Sequence, residues 1–225
     1  MRPLAIDLYA GLGGWAEGLL AEGWDVIGFD IERHVYGEHR YPAQLVVQDA
    51  RSLHGSQFKD AALIVASPPC QAYSYRAMPW KRAKALPPPD NTLFETCFRI
   101  QREACEAAGR HIPMCVENVR GAQKWVGRAR WNFGSYYLWG DVPALMPMRG
   151  HYKSTGMNWS DRSKKGQDFT RIAGSQAIDG HKVFGWNNTP MRRGNSKSLG
   201  RKFASAMIAK IPLPLARHIG AVFRP

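Results

Sequence analysis

The sequence predicts an α/β fold, a mostly parallel sheet with helices on both faces, followed by a small irregular basic region. Three observations carry this expectation. Short apolar runs alternate with helix-period patterns over residues 4–120, which is how a sheet covered on both faces is written. The apolar runs are followed by glycine-rich, acidic or proline-bounded loops, and sheets of this kind bind ligands at the carboxyl ends of their strands. Beyond about residue 140 the alternation stops and the composition turns basic.

In chain order, strands are expected over residues 4–9, 25–29, 44–48, 63–66 and 114–116. A helix is expected over 15–22, and a longer one over 91–108. In the longer one Leu93, Phe94, Cys97, Phe98, Gln101 and Cys105 run down one side and Gly109 supplies the stop. Between residues 150 and 202 there are 11 Lys and Arg against three acids (Asp161, Asp168 and Asp179), with Trp159 and Trp186 interleaved. Helices follow over 199–209 and 213–222.

Length and charge bound the function. The 225 residues suit one domain with a small appendage. The formal charge of +13 points to a polyanionic partner, most often nucleic acid. No apolar run approaches the roughly 20 residues that span a bilayer, and no charged-then-apolar leader precedes the first strand, so neither a membrane nor secretion is expected. Cys70, Cys97, Cys105 and Cys115 form no C-x-x-C pair and the seven histidines are scattered. That pattern argues against zinc and any other metal, and against a disulfide framework; it points to a reducing cytoplasm.

Two loops carry chemistry. Ser67-Pro68-Pro69-Cys70-Gln71 ends a buried apolar strand in two prolines and a thiol. Prolines limit the shapes of the loop, which suits a nucleophile that must be held still. A buried structural cysteine is the plain alternative. The second loop is Asp7-Leu8-Tyr9-Ala10-Gly11-Leu12-Gly13-Gly14, between the first strand and the first helix. Glycines there admit a ligand close to the backbone and the helix N-terminus favours negative charge. Asp30 ends the second strand, where a carboxylate can bond a ribose diol. Asp49 ends the third and could receive an adenine amino group. This outlines a nucleoside cofactor site without separating NAD from S-adenosylmethionine. Glu117, in Val116-Glu117-Asn118-Val119, follows the strand over 114–116 and shares a sheet edge with Cys70. A thiolate and a carboxylic acid in one cleft suit addition chemistry. The stretch 71–90 mixes Arg76, Lys81, Arg82 and Lys84 with Tyr73, Tyr75 and Trp80, as a lid that touches phosphates and stacks on bases would.

The order of these features resembles the DNA cytosine carbon-5 methyltransferases: D-L-x-x-G-x-G-G, an acid after strand two, an acid after strand three, P-C-Q, then E-N-V. The resemblance covers about residues 4–120. Phe133-Gly134-Ser135-Tyr136-Tyr137-Leu138-Trp139-Gly140-Asp141-Val142-Pro143 is similar to small phage-encoded members. It implies a Rossmann-like methyltransferase fold that uses S-adenosyl-L-methionine. Residues 1–143 would form the cofactor-binding and catalytic domain. Residues 144–195 would form a reduced target-recognition region, and 196–225 C-terminal helices that pack back on the catalytic domain. Cys70 would attack carbon 6 of a flipped-out cytosine and Glu117 would protonate or hold N3. A positive surrounding would keep the thiolate accessible. The cofactor would be held by Asp7, Tyr9, Gly11, Gly13, Gly14, Asp30, Asp49 and Pro69. DNA would be held by Gln71, Ser74, Arg76, Lys81, Arg82, Lys164, Lys165, Arg192 and Arg193. Arg128 and Arg130 stand for the family's R-x-R pair on the cytosine, ahead of a later strand expected over 133–139; they lie closer to Glu117 than is usual, and Arg149 stays open in their place.

The implied partner is double-stranded DNA, with no obligate protein partner, in the cytoplasm of a bacterial or phage-infected cell. Genome protection or restriction-modification is the role the resemblance suggests. The small recognition region implies short or relaxed sequence specificity. Two other readings stand beside this one: a tRNA cytosine methyltransferase, and a non-catalytic DNA-binding relative.

Overall fold

The computed structural model describes residues 2–74, 87–147 and 199–225. Among these residues nine strands and five helices follow one another: β1 (Leu4–Leu8), α1 (Gly14–Ala21), β2 (Asp25–Asp30), β3 (Val35–Tyr36), β4 (His39–Arg40), β5 (Gln44–Val47), β6 (Leu63–Ala66), α2 (Thr92–Ala108), β7 (Met114–Asn118), α3 (Gln123–Val126), β8 (Trp131–Phe133), β9 (Tyr136–Gly140), α4 (Leu199–Ala209) and α5 (Leu213–Phe223). Seven strands form one sheet in the order β5-β2-β1-β6-β7-β9-β8, and β3 and β4 form a separate ribbon. β5, β2, β1, β6 and β7 are parallel, while β9 runs antiparallel to β7 and β8 antiparallel to β9.

This is a doubly wound, Rossmann-like α/β sheet. The strand order reverses between β1 and β6, because the chain first builds outward through β2 and β5 and then crosses to the other side of β1. The two loops leaving the carboxyl ends of β1 and β6 diverge there and open a crevice. The glycine loop and the proline-bounded cysteine are those two loops.

Each face of the sheet has its own core. On one face Ile6, Leu8, Ile64, Met114 and Val116 pack against Phe94, Cys97, Ile100 and Ala104 of α2. On the other Ala5, Leu63, Val65 and Cys115 pack against Trp15 and Leu19 of α1 and Leu215 and Ile219 of α5. The central strands read as near-continuous apolar runs because both of their faces are covered. Gly109, at φ 64, ends α2 in the left-handed conformation. The buried stripe of α2 includes Ile100, while Leu93, Phe98, Gln101 and Cys105 of the expected stripe are only half-buried.

The C-terminal residues close the fold over α1. Trp24 donates its indole N–H to the Gly220 carbonyl at 2.9 Å. Lys210 pairs with Glu17 at 2.5 Å and Arg217 with Glu22 at 2.6 Å. A Cβ on Gly14 would lie 2.4 Å from the Ile211 nitrogen, and one on Gly18 would lie 2.3 Å from the Ala216 Cβ. Two glycines on one face of α1 thus let the C-terminal segment approach at backbone distance.

Three elements differ from expectation. The strand expected over 114–116 continues through Asn118, so Glu117 lies within β7 and is buried rather than following its end. The single strand expected over 133–139 is a β8–β9 hairpin, turned at Gly134 with φ 63. The β3–β4 ribbon has only two residues per strand, too few for a periodic pattern. Among the described residues no helix is long and apolar enough to cross a membrane, and the four cysteines are free thiols. The basic segment 150–198 lies outside the described residues.

Because the α1–α5 contact has no spare space, Gly18→Val is expected to destabilise the protein by about 1–3 kcal/mol, the range for overpacking a close contact. Urea unfolding of the two proteins measures it.

Candidate active site

The loop after β1 is built by backbone conformations that exclude most side chains. Gly11 and Gly13 have φ of 53 and 76, and Tyr9 itself has φ 60, an uncommon state for a residue with a Cβ. Tyr9 is held there by its phenol, which donates to the Leu93 carbonyl at 2.8 Å. Burial pushes its phenol well above the usual range. A Cβ on Gly13 would fall 2.3 Å from Pro42 and 3.0 Å from the Tyr41 ring, so Tyr41 and Pro42 form the back wall of the loop. Gly28 on β2 makes room for the same ring, with a would-be Cβ 2.4 Å from it.

Under this wall lies Asp7, 1% exposed. The Tyr41 hydroxyl donates to one of its oxygens at 3.1 Å, and its other oxygen, Oδ1, has no protein partner. Burial pushes the Asp7 carboxyl well above the ordinary carboxylate range, against the pull of the Tyr41 hydrogen bond.

The strand-end acids behave differently. Asp30 accepts the Gly11 amide at 2.8 Å and the Glu32 amide at 3.2 Å, with His34 3.7 Å away. Burial opposes its ionisation, but the nearby His34 and the hydrogen bonds from the Gly11 and Glu32 amides outweigh it and hold the carboxyl below its usual value. Asp30 is therefore a carboxylate joined to the glycine loop. Asp49 is taken up by Arg51, which grips both of its oxygens at 2.6–3.1 Å; that pairing lowers its pKa. Gly14, placed with the cofactor residues by its motif, faces the Ile211 backbone.

Cys70 leaves the carboxyl end of β6. Its carbonyl accepts the Ser74 hydroxyl at 3.0 Å and the Tyr73 amide at 3.0 Å, which winds residues Gln71–Tyr73 into a 3-10 turn. Tyr73 is buried and its hydroxyl donates to Asn91 at 2.9 Å. Asn118 of β7 donates its amide to the Pro68 carbonyl at 2.9 Å, both groups being buried. The thiol is thus carried on a loop anchored to β7 and to the start of α2. Burial raises the Cys70 pKa; a Ser74 hydrogen bond pulls it back and the Glu117 charge adds to the rise. The positive surrounding expected for this thiol is not what the described residues provide.

Glu117 is 8% exposed. Burial pushes its carboxyl up to about 8, with a hydrogen bond from Ser67 acting in the other direction. A carboxyl in that range is a neutral acid at pH 7, able to donate a proton.

The other expected residues fall in several places. Pro69 and Gln71 are exposed beside Cys70. Arg128 and Arg130 are exposed on the segment entering β8. Arg130 donates its backbone N–H to the Leu138 carbonyl at 2.9 Å. No described contact joins either arginine to Cys70 or Glu117. Arg76, Lys81, Arg82, Arg149, Lys164, Lys165, Arg192 and Arg193 lie outside the described residues. Among the described residues no cluster of His, Cys, Asp or Glu could hold a metal ion.

The family described as C-5 cytosine-specific DNA methylase matches residues 4–124, just over half of the chain. The chain belongs to this family. No curated protein matches it. Among solved structures it is similar to a protein described as a DNA modification methyltransferase encoded within an E. coli prophage (24% identity, 56% of this chain and 34% of that one, TM-score 0.40). It is also similar to the S. pombe Dnmt2 methyltransferase (17%, 55% and 36%, TM-score 0.38). A third is the Entamoeba histolytica methyltransferase EhMeth (14%, 76% and 60%, TM-score 0.44). The chain spans about a third of the length of the first two.

Family motifs mark Cys70 and Glu117 but assign no role to the residues that hold them. Ser67 and Asn118 stand inside the quoted motifs and Trp15 at the start of the first expected helix, but none of them was given a role, and Tyr41 was not singled out. The signals for them were a glycine inside an apolar strand (Gly28) and a serine just before two prolines.

Asp7 generates a prediction about stability. Its folded pKa is raised above the ordinary 3.8, so its favourable contribution is complete below pH 4 and is lost as pH rises toward the folded value. Wild-type stability relative to Asp7→Asn is expected to fall as pH goes from 4 to 8. Urea midpoints of both proteins across that range report it, and a constant difference would contradict it.

Proposed function

We propose that this chain methylates carbon 5 of cytosine in DNA by covalent catalysis from Cys70, with S-adenosyl-L-methionine as methyl donor. The observation that carries the reading is the placement of a fixed thiol and a buried neutral acid on adjacent strand ends, beside a glycine loop at the point where the strand order reverses.

The residues of the β1 loop fit the donor. The cradle of Gly11 and Gly13 excludes side chains, the Asp30 carboxylate closes its rim, and the unpartnered Asp7 Oδ1 lies beneath it. These residues would hold S-adenosyl-L-methionine, which when bound supplies an electrophilic methyl group to carbon 5.

Cys70 adds to carbon 6 of a cytosine taken out of the stack, and its thiol proton is lost as the sulfur–carbon bond forms. Glu117 delivers its proton to N3, so the electrons of the 5,6 double bond gather at carbon 5 instead of leaving a full negative charge on the ring. After carbon 5 is alkylated, its proton passes to solvent, the 5,6 double bond re-forms as the Cys70 sulfur leaves as a thiolate, and N3 returns its proton to Glu117. A neutral Glu117 can take part because burial keeps its proton on near pH 7. The net charge of +13 supports a phosphate-bearing substrate, and the short stretch 144–195 supports short or relaxed specificity.

The trapping experiment uses duplex DNA containing 5-fluorocytosine, whose fluorine cannot leave as a proton. Wild type with cofactor is expected to form a covalent adduct, and Cys70→Ala none. An adduct undiminished in Cys70→Ala would remove the nucleophile. Labelled-methyl transfer to tRNA but not to DNA would move the reading to RNA. Glu117→Gln, which holds N3 without a transferable proton, is expected to slow transfer by about 10²–10⁴-fold.

DNA binding is expected to weaken steeply with salt through counterion release, as filter binding between 50 and 200 mM salt, about the range of such assays, would show. Bisulfite sequencing of DNA from expressing cells tests specificity; a single long recognition sequence would overturn the short-specificity reading.

A further inference from the structure

We infer that Trp15 and Ser67 are positioning residues that aim Glu117 and decide which of its two oxygens carries the proton. This rests on the acid role proposed above for Glu117.

The placement comes from the sheet. Ala66 of β6 pairs with Val116 of β7, so the next position brings Ser67 beside Glu117. The Ser67 amide still donates to the Leu8 carbonyl at 3.1 Å, which carries the β1–β6 ladder one residue past β6. Side chains alternate along a strand. Val65 and Cys115 belong to the core on the α1 face, so Ser67 and Glu117 turn to that face as well. Trp15, 2% exposed on α1, donates its indole N–H to the Ser67 hydroxyl oxygen at 2.9 Å.

The chemistry then has one direction. An indole N–H can only donate, and a serine hydroxyl has one hydrogen. With its oxygen accepting from Trp15, Ser67 has its hydrogen free, and Glu117 is the acceptor that the β6–β7 register sets beside it on the same face. A neutral carboxyl has one O–H, and its carbonyl oxygen is the better acceptor. The oxygen that faces Ser67 is therefore the carbonyl one, and the acidic proton sits on the other oxygen. Ser67 cannot drift, because Pro68 restricts its backbone and the Pro68 carbonyl is held by Asn118 at 2.9 Å.

No competing charge intervenes among the described residues. Cys70, on the loop after β6, is the titratable group that feels Glu117. Glu17 of α1 is paired with Lys210. Across from Glu117 on β9 stands the apolar Leu138.

The test uses the full-length chain as wild type, Ser67→Ala, Ser67→Thr and Trp15→Phe. The first readout is independent of turnover: carbon NMR of protein labelled in its glutamate carboxyls follows the titration of Glu117. Wild type is expected to titrate near the value set by burial, about 8. Ser67→Ala removes a hydrogen bond that favours the carboxylate, so its midpoint moves up. Trp15→Phe moves it the same way by less, and Ser67→Thr restores it. In methyl transfer, kcat is expected to drop about tenfold in Ser67→Ala and Trp15→Phe, the size of one lost hydrogen bond to a charged or polarised group. KM for DNA should stay put, and Ser67→Thr should recover kcat.

A Glu117 midpoint unmoved in Ser67→Ala overturns the inference even if wild type methylates DNA. A moved midpoint in a chain that transfers no methyl group supports the relay and removes the proposed reaction instead. Should Ser67→Ala not fold, the midpoints of Ser67→Thr and Trp15→Phe decide between the same two outcomes.

Discussion

The parallel register between β6 and β7 is the constraint on which the site depends. It is held by main-chain hydrogen bonds between strands with both faces buried, so a slip of one residue would turn Val65, Cys115 and their neighbours to the wrong cores. With the register set, the two strands deliver Ser67 and Glu117 side by side. They also bring Asn118 to the Pro68 carbonyl, and Cys70 follows within three residues of Ser67. The acid is inside the strand and the thiol outside it. That difference explains why one group is a buried neutral carboxyl and the other a half-buried thiol on a loop.

The β1 side of the crevice is shaped from behind. Tyr41 and Pro42 crowd Gly13, and the Tyr41 hydroxyl reaches down to Asp7. α1 leaves that loop, carries Trp15 to Ser67, and is clamped on its far side by α5 through Gly18 and Gly220. One helix therefore couples the loop after β1, the loop after β6 and the C-terminal segment.

Much of this was legible in the residues. The five parallel strands follow from apolar runs at the right spacing, and Gly109 marks the end of α2 where its left-handed conformation is needed. Cys70, Glu117 and Asp30 stand out because their flanking residues form recognisable loops. The β8–β9 hairpin and the β3–β4 ribbon were not legible, since short strands carry too few periods to be told from loops. Arg128 and Arg130 were placed by the family's R-x-R pattern ahead of a later strand, and both are exposed on the segment entering β8.

By itself the sequence determined the α/β class, the two chemical loops and the family to which they belong, because local apolar periodicity and loop residues are local properties of a chain. Tertiary structure alone decided the state of the groups. Asp7 is capped by Tyr41 across 34 positions of chain, Glu117 holds its proton because strand β7 runs on into the core, and Trp15 meets Ser67 across 52 positions. Burial and hydrogen-bond direction depend on what packs against a residue from distant elements, and that is settled only when the sheet has closed its two cores.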